Sequence, residues 1–234
     1  MCYSVESSAK TTLYSLIAII VLFNSGVPHF KWLGVVLIGW CSMQFAEFLL
    51  WLTNPRKGCT PANKIITMTL VPFILCIQGV APIVGSLFVK PWSQCSQNRR
   101  LFMVGWSICS VLLMLNYFYG SPIKYCTTVT PQGHLDWFLS EWKSSNFDFG
   151  FGFGIPRLFA TTIWLILIAF PFIWLWDVSY KAVIAFCIVP LLGYFYGFTT
   201  DSNGSIWCHY TSFTSIVSLV MYGLYKLNIY NVLK

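Results

Sequence analysis

Glu47 is the only Asp or Glu inside a long apolar stretch of this 234-residue chain. A charge in hydrocarbon costs at least about 2.5 kcal/mol on insertion scales, so a carboxyl there must face protein or water. Trp40, Gln44, Glu47 and Trp51 follow a 4-3-4 spacing, which puts them on one face of a helix. Asn116 and His209 fall at comparable depths near the same end of two later apolar stretches. A carboxylate beside an imidazole and an amide can bind a cation or relay protons. The same groups can equally form a hydrogen-bonded cluster that only fixes helix packing. Gln78 stands with Pro72, Gly79, Pro82 and Gly85 in another apolar stretch. Proline frees backbone carbonyls, and broken helices build midplane sites in transporters, although proline is also common in ordinary membrane helices.

Nine cysteines are the other reactive groups. Cys41, Cys76, Cys109, Cys187 and Cys208 lie in apolar stretches, where a thiol usually acts as a small hydrophobe. Cys2, Cys59, Cys95 and Cys126 lie in the N-terminal segment or in loops. No CxxC pair and no zinc-type Cys/His spacing occurs, and GxSxG and phosphate-binding glycine loops are missing, so neither a metal nor a cofactor is expected. Cys208, Thr211, Ser215, Ser218 and Tyr222 make a stripe at 3-4-3-4 spacing, a pattern that favours close helix packing.

The elements that must position these residues follow from composition. The chain is 57% hydrophobic and 9% charged, against about 25% charged in soluble domains. Seven segments approach the roughly 20 apolar residues of a membrane span: about Thr11–Val27, Lys31–Leu52, Ile65–Val89, Leu101–Tyr119, Pro156–Trp176, Tyr180–Phe198 and Ser205–Leu227. The expected fold is all-α, a polytopic bundle of seven spans forming one domain over 1–234. The first segment, behind Lys10, is short enough for a signal peptide, but Asn24-Ser25-Gly26 is a poor cleavage site. The one long loop covers about 120–155. In it, Leu135, Phe138, Leu139 and Trp142 share a helical face, which predicts a short interfacial helix. The glycine- and aromatic-rich run Phe147–Gly154 follows. The loop is either a membrane-anchored connector or a lid.

The net charge of +7 is scattered through short loops, which suits headgroups and topology rather than nucleic acid. With seven spans, the 14 Lys and Arg divide seven and seven between the two sides. Setting aside Lys124, Lys143 and Arg157 of the long loop leaves four on the N-terminal side against seven, which favours an extracytoplasmic N-terminus. Cys59 precedes the third span and Cys126 follows the fourth. If those spans pack as antiparallel neighbours, the pair is a candidate disulfide, with Cys2 and Cys208 as competing partners.

The opening Met1-Cys2-Tyr3-Ser4, the Met43-Gln44-x-x-Glu47 of the second span and the Trp207-Cys208 of the seventh carry a resemblance. The chain resembles an uncharacterised family of multi-pass membrane proteins of large DNA viruses and some protists. The resemblance implies a multi-pass fold and no particular activity, and it draws attention to Cys2, Glu47 and Cys208. A seven-span receptor is matched in topology alone. The leading expectation is a transporter or channel for a small solute or ion, with a polar site near the N-terminal side built from Glu47, Gln44, Asn116, His209 and Gln78. The alternatives are an intramembrane enzyme using Glu47 with His209 or Cys2, and a receptor or structural membrane protein. Membrane lipids are the expected partners, and self-association stays open.

Overall fold

The computed structural model describes residues 4–119, 126–131, 133–137, 147–148, 154–155, 166–171, 174–175, 184, 188, 192 and 203–229, with side chains omitted at 116–119, 147–148, 154–155 and 203–207. Most of the expected fifth and sixth spans lies outside the described residues, as do Cys2, Cys187 and most of the long loop.

The first helix, Val5–Phe23, begins where the Ser4 hydroxyl accepts from the Ser7 N–H. Gly26, at φ +72°, turns the chain into the second helix, Pro28–Leu52, with proline in its first turn. A left-handed Asn54, the 3-10 turn Pro55–Lys57 and the Thr60 cap lead to the third helix, Pro61–Val89. That helix widens into a π turn over Ile66–Leu70, just before Pro72. Proline offers no N–H to the carbonyl four residues back and clashes with it, which accounts for the widening. The fourth helix is Gln97–Tyr119 and the C-terminal helix is Asn203–Lys226. Among the described residues, four helices are long and apolar enough to cross a membrane: Val5–Phe23, Pro28–Leu52, Pro61–Val89 and Gln97–Leu115.

The helices begin at Val5, Pro28, Pro61 and Gln97, a few residues ahead of the apolar segments. Apolarity marks the thickness of hydrocarbon, whereas capping residues carry each helix into the polar zone beyond it.

The second and third helices form the centre. A Cβ added at Gly39 would stand 2.6 Å from Ala81 Cβ, so the two backbones approach as closely as glycine permits. Gly79 does the same against Ser110 of the fourth helix, and Trp32 Nε1–H donates to the Pro82 carbonyl at 2.9 Å. The C-terminal helix packs on the first two. Ser215 Oγ donates to Ser15 Oγ at 2.9 Å, and Tyr222 and Tyr225 meet Phe30 edge-on at 5.0 and 5.4 Å. Ser15 is halfway along the first helix, and Phe30 lies at the far end from Ser4. The C-terminal helix therefore runs parallel to the first, and Ser4 and Ile229 sit at opposite ends of the bundle.

Residue polarity is inverted relative to a water-soluble bundle. The first helix turns Ser8, Thr11 and Ser15 inward, while Leu13, Leu16, Ile17 and Ile20 stand 46–54% exposed. Ile38, Phe45, Phe73, Val84, Val104, Ile108, Leu112, Ile216 and Val220 extend the exposed apolar belt around the other helices. Serine and threonine toward the core with leucine and isoleucine outward is the arrangement that lipid selects.

The sequence expectation of an interfacial helix from His134 fails in its first turn. Leu135–Asp136 is instead a strand (β2), paired antiparallel with Thr128–Val129 (β1). Leu135, Asp136 and Trp137 are all buried, so no polar face remains for water. Tertiary contacts that hold Thr127 at the start of β1 outweigh the helical periodicity. Residues 138–142 of the expected helix lie outside the described residues. Phe147–Asp148 (β3) pairs with Gly154–Ile155 (β4) in a second hairpin.

Candidate functional site

Helical spacing brings Glu47, Gln44 and Cys41 to the interior of the second helix, where each is buried. Glu47 is 0% exposed. One turn deeper, Gln44 Oε1 accepts from the Thr11 hydroxyl at 2.8 Å. One turn deeper again, Cys41 Sγ lies 3.6 Å from both Ser215 Oγ and the Thr211 carbonyl. Ser218 donates to the Thr214 carbonyl at 2.7 Å, a local bond that leaves its small side chain in the seam. Thus the first, second and C-terminal helices enclose a polar seam with Glu47 at its N-terminal end. The expected stripe Cys208, Thr211, Ser215 and Ser218 is buried along it, with Tyr222 continuing the stripe to Phe30.

The other expected site residues are distributed differently. His209 is half-buried, with its ring edge-on to Phe213 at 5.2 Å. Its Nδ1 is buried and has no hydrogen-bond partner among the described residues. Asn116 lies in the fourth helix, and its side chain is outside the described residues. Gln78 is buried beside Gly39. Gly39 precedes Glu47 by eight residues on the second helix, so Gln78 lies roughly 12 Å deeper, at about 1.5 Å per residue. Glu47 and Gln78 are two stations rather than one.

The N-terminal end of the bundle carries a cap. Cys59 and Cys126 are joined as a disulfide with Cα atoms 5.6 Å apart. Beside it, Asn63 Nδ2–H donates to the Thr127 carbonyl at 3.0 Å, and the Thr127 N–H donates to Asn63 Oδ1 at 2.8 Å. Thr67 Oγ1 lies 3.1 Å from Asn63 Oδ1 and 2.8 Å from Thr127 Oγ1. All three side chains are buried. The clasp sets β1 against the Pro55–Lys57 turn, and β2 reaches the C-terminal helix. The Thr130 N–H donates to the His134 carbonyl at 2.8 Å, and Gly133, at φ +85°, makes the turn between the strands. His134 is buried there, within electrostatic reach of His209. Burial pushes the His134 imidazole below its ordinary value.

Sequence reasoning missed Asn63, Thr67, Thr127 and His134. Asn63 and Thr67 are four apart just after Cys59, a spacing that would show a polar face once the disulfide was known. Nothing in the sequence pairs them with Thr127. Among the described residues, no group of three His, Cys, Asp or Glu side chains is placed to hold a metal ion. Compared with known proteins, the chain matches no family model, no curated protein and no solved structure.

Proposed function

We propose that this chain is a seven-span integral membrane protein that passes a small ion or polar solute through its helix bundle, with Glu47 as the binding carboxylate. The observation that carries the reading is a fully buried Glu47 at the head of a polar seam, inside helices whose outer faces are apolar. Lipid offers nothing to a carboxylate at that depth, so such a residue marks a protein-lined polar site. Parallel first and last helices need an odd number of crossings, which supports seven. The disulfide at the N-terminal end supports an extracytoplasmic N-terminus, because disulfides persist in oxidising compartments. Membrane lipids are the surrounding partners in this reading. Membership of the multi-pass family described above is part of the same proposal, resting on Cys2, the Gln44–Glu47 pair and Trp207-Cys208.

Flux of ions and small solutes into proteoliposomes tests the function. The wild-type chain is expected to move at least one such species, and Glu47→Gln to abolish that flux while eluting as the same monodisperse peak. Equal flux through wild type and Glu47→Gln would contradict the assignment. Turnover of a lipid or peptide in detergent, with no flux, would favour an intramembrane enzyme.

A further inference from the structure

Gln78 of the third helix is 1% exposed, and neither its Oε1 nor its Nε2 has a hydrogen-bond partner among the described residues. Its backbone adds a third group. Pro82 stands four residues on and has no N–H, so the Gln78 carbonyl lacks its helical donor. The adjacent Gly79 packs on Ser110 of the fourth helix, where an added Cβ would stand 3.0 Å from Ser110 Oγ. Ser110 is itself 1% exposed, and its hydroxyl also has no partner among the described residues. Two carbonyl oxygens, an amide N–H2 and a hydroxyl thus collect at one level of the bundle. That level is the middle of the second helix, because Gly39, which packs against Gln78, is the twelfth residue of Pro28–Leu52.

We infer that Gln78 and Ser110 form a midplane site for a water molecule, a second polar station beyond Glu47. Buried polar groups are almost always hydrogen-bonded, because an amide or hydroxyl left dry bears its full desolvation cost. A buried water satisfies two to four such groups at once. The chemistry selects a neutral guest over an ion. The Gln78 N–H2 is a donor and repels a cation, whereas the two carbonyls repel an anion. The nearest span carboxylate, Glu47, is roughly 12 Å away along the second helix at about 1.5 Å per residue. Water both donates and accepts, and so suits every group present. The site stands on these orphaned atoms and does not depend on the role proposed for Glu47.

An experimental structure of the full chain in lipid nanodiscs, at a resolution that shows ordered waters, tests this directly. Density within about 3.2 Å of Gln78 Nε2 or Oε1 and of Ser110 Oγ is expected. Continuous protein packing with no density there overturns the site. Thermal unfolding in the same nanodiscs gives a second readout. Gln78→Met and the milder Ser110→Ala are expected to lower the melting temperature, because each removes a ligand of the water. A rise in both variants would mean that the groups are dry, and would overturn the proposal even if Glu47→Gln still abolished flux.

Discussion

Asn63 gives Thr127 both a donor and an acceptor, and so stands in for a strand partner at the one place where β1 leaves the disulfide. Asn63→Ala would strand the buried Thr127 carbonyl, a loss of about 1–3 kcal/mol, and leave the Thr127 N–H with Thr67 Oγ1, 3.1 Å away, as its acceptor. We expect thermal unfolding in detergent to fall by several degrees in Asn63→Ala, and Asn63→Asp not to rescue it, because a carboxylate cannot donate to the Thr127 carbonyl. His134 sets a pH dependence on the same cap. Its folded pKa is depressed below the ordinary 6.5. As pH falls through that ordinary value, the undocked loop takes up the proton first, and docking weakens. The loss stops growing below the folded value, and above 6.5 the contribution is flat. Amide protection factors across Thr128–Trp137, with the intrinsic pH dependence of exchange divided out, should therefore fall on acidification through the ordinary imidazole value in the wild type and much less in His134→Gln. Protection that rises on acidification would refute the depressed imidazole. Residues differ in how legible they were. Glu47 was conspicuous because a carboxyl among apolar neighbours is costly. The Asn63–Thr127 clasp was not, because its partners are 64 residues apart and chemically ordinary.

At the scale of elements, apolar runs marked where helices cross but not where they stop or how closely they pack. The interfacial helix from His134 failed for a reason of this scale: helical periodicity is a local signal, and a disulfide spanning 67 residues with a three-residue clasp is not. The close approach of the second and third helices was equally hidden, since Gly39 looks like any membrane glycine until Ala81 is placed opposite it. Gly39→Leu would drive a side chain into Ala81 Cβ and the Ile77 carbonyl. Overpacking of this kind costs about 1–3 kcal/mol or more, so a lower melting temperature or aggregation in detergent is expected. Gly105, with nothing within 4 Å among the described residues, is the control, and Gly105→Leu should leave the melting temperature nearly unchanged. Cys59→Ser releases the cap from its covalent tie. Disulfides closing loops of this length contribute roughly 2–4 kcal/mol. Limited proteolysis within Thr128–Trp137 should become faster, while the third helix stays protected.

For the whole molecule, composition alone indicated a lipid environment, and the inverted polarity of the bundle gives that reading its geometry. The pairing of the first and last helices was not legible, because serine spacing does not say which serine meets which. Ser15–Ser215 and Phe30–Tyr222 fix the two helices as parallel. Everything proposed about sidedness rests on that pairing together with the disulfide. The most direct test uses a short epitope at each terminus, probed in intact cells and again after permeabilisation. The N-terminal epitope is expected to be reached from outside, and the C-terminal epitope only once the membrane is opened. If both epitopes become accessible from the same side, the number of crossings is even and the seven-span account is wrong.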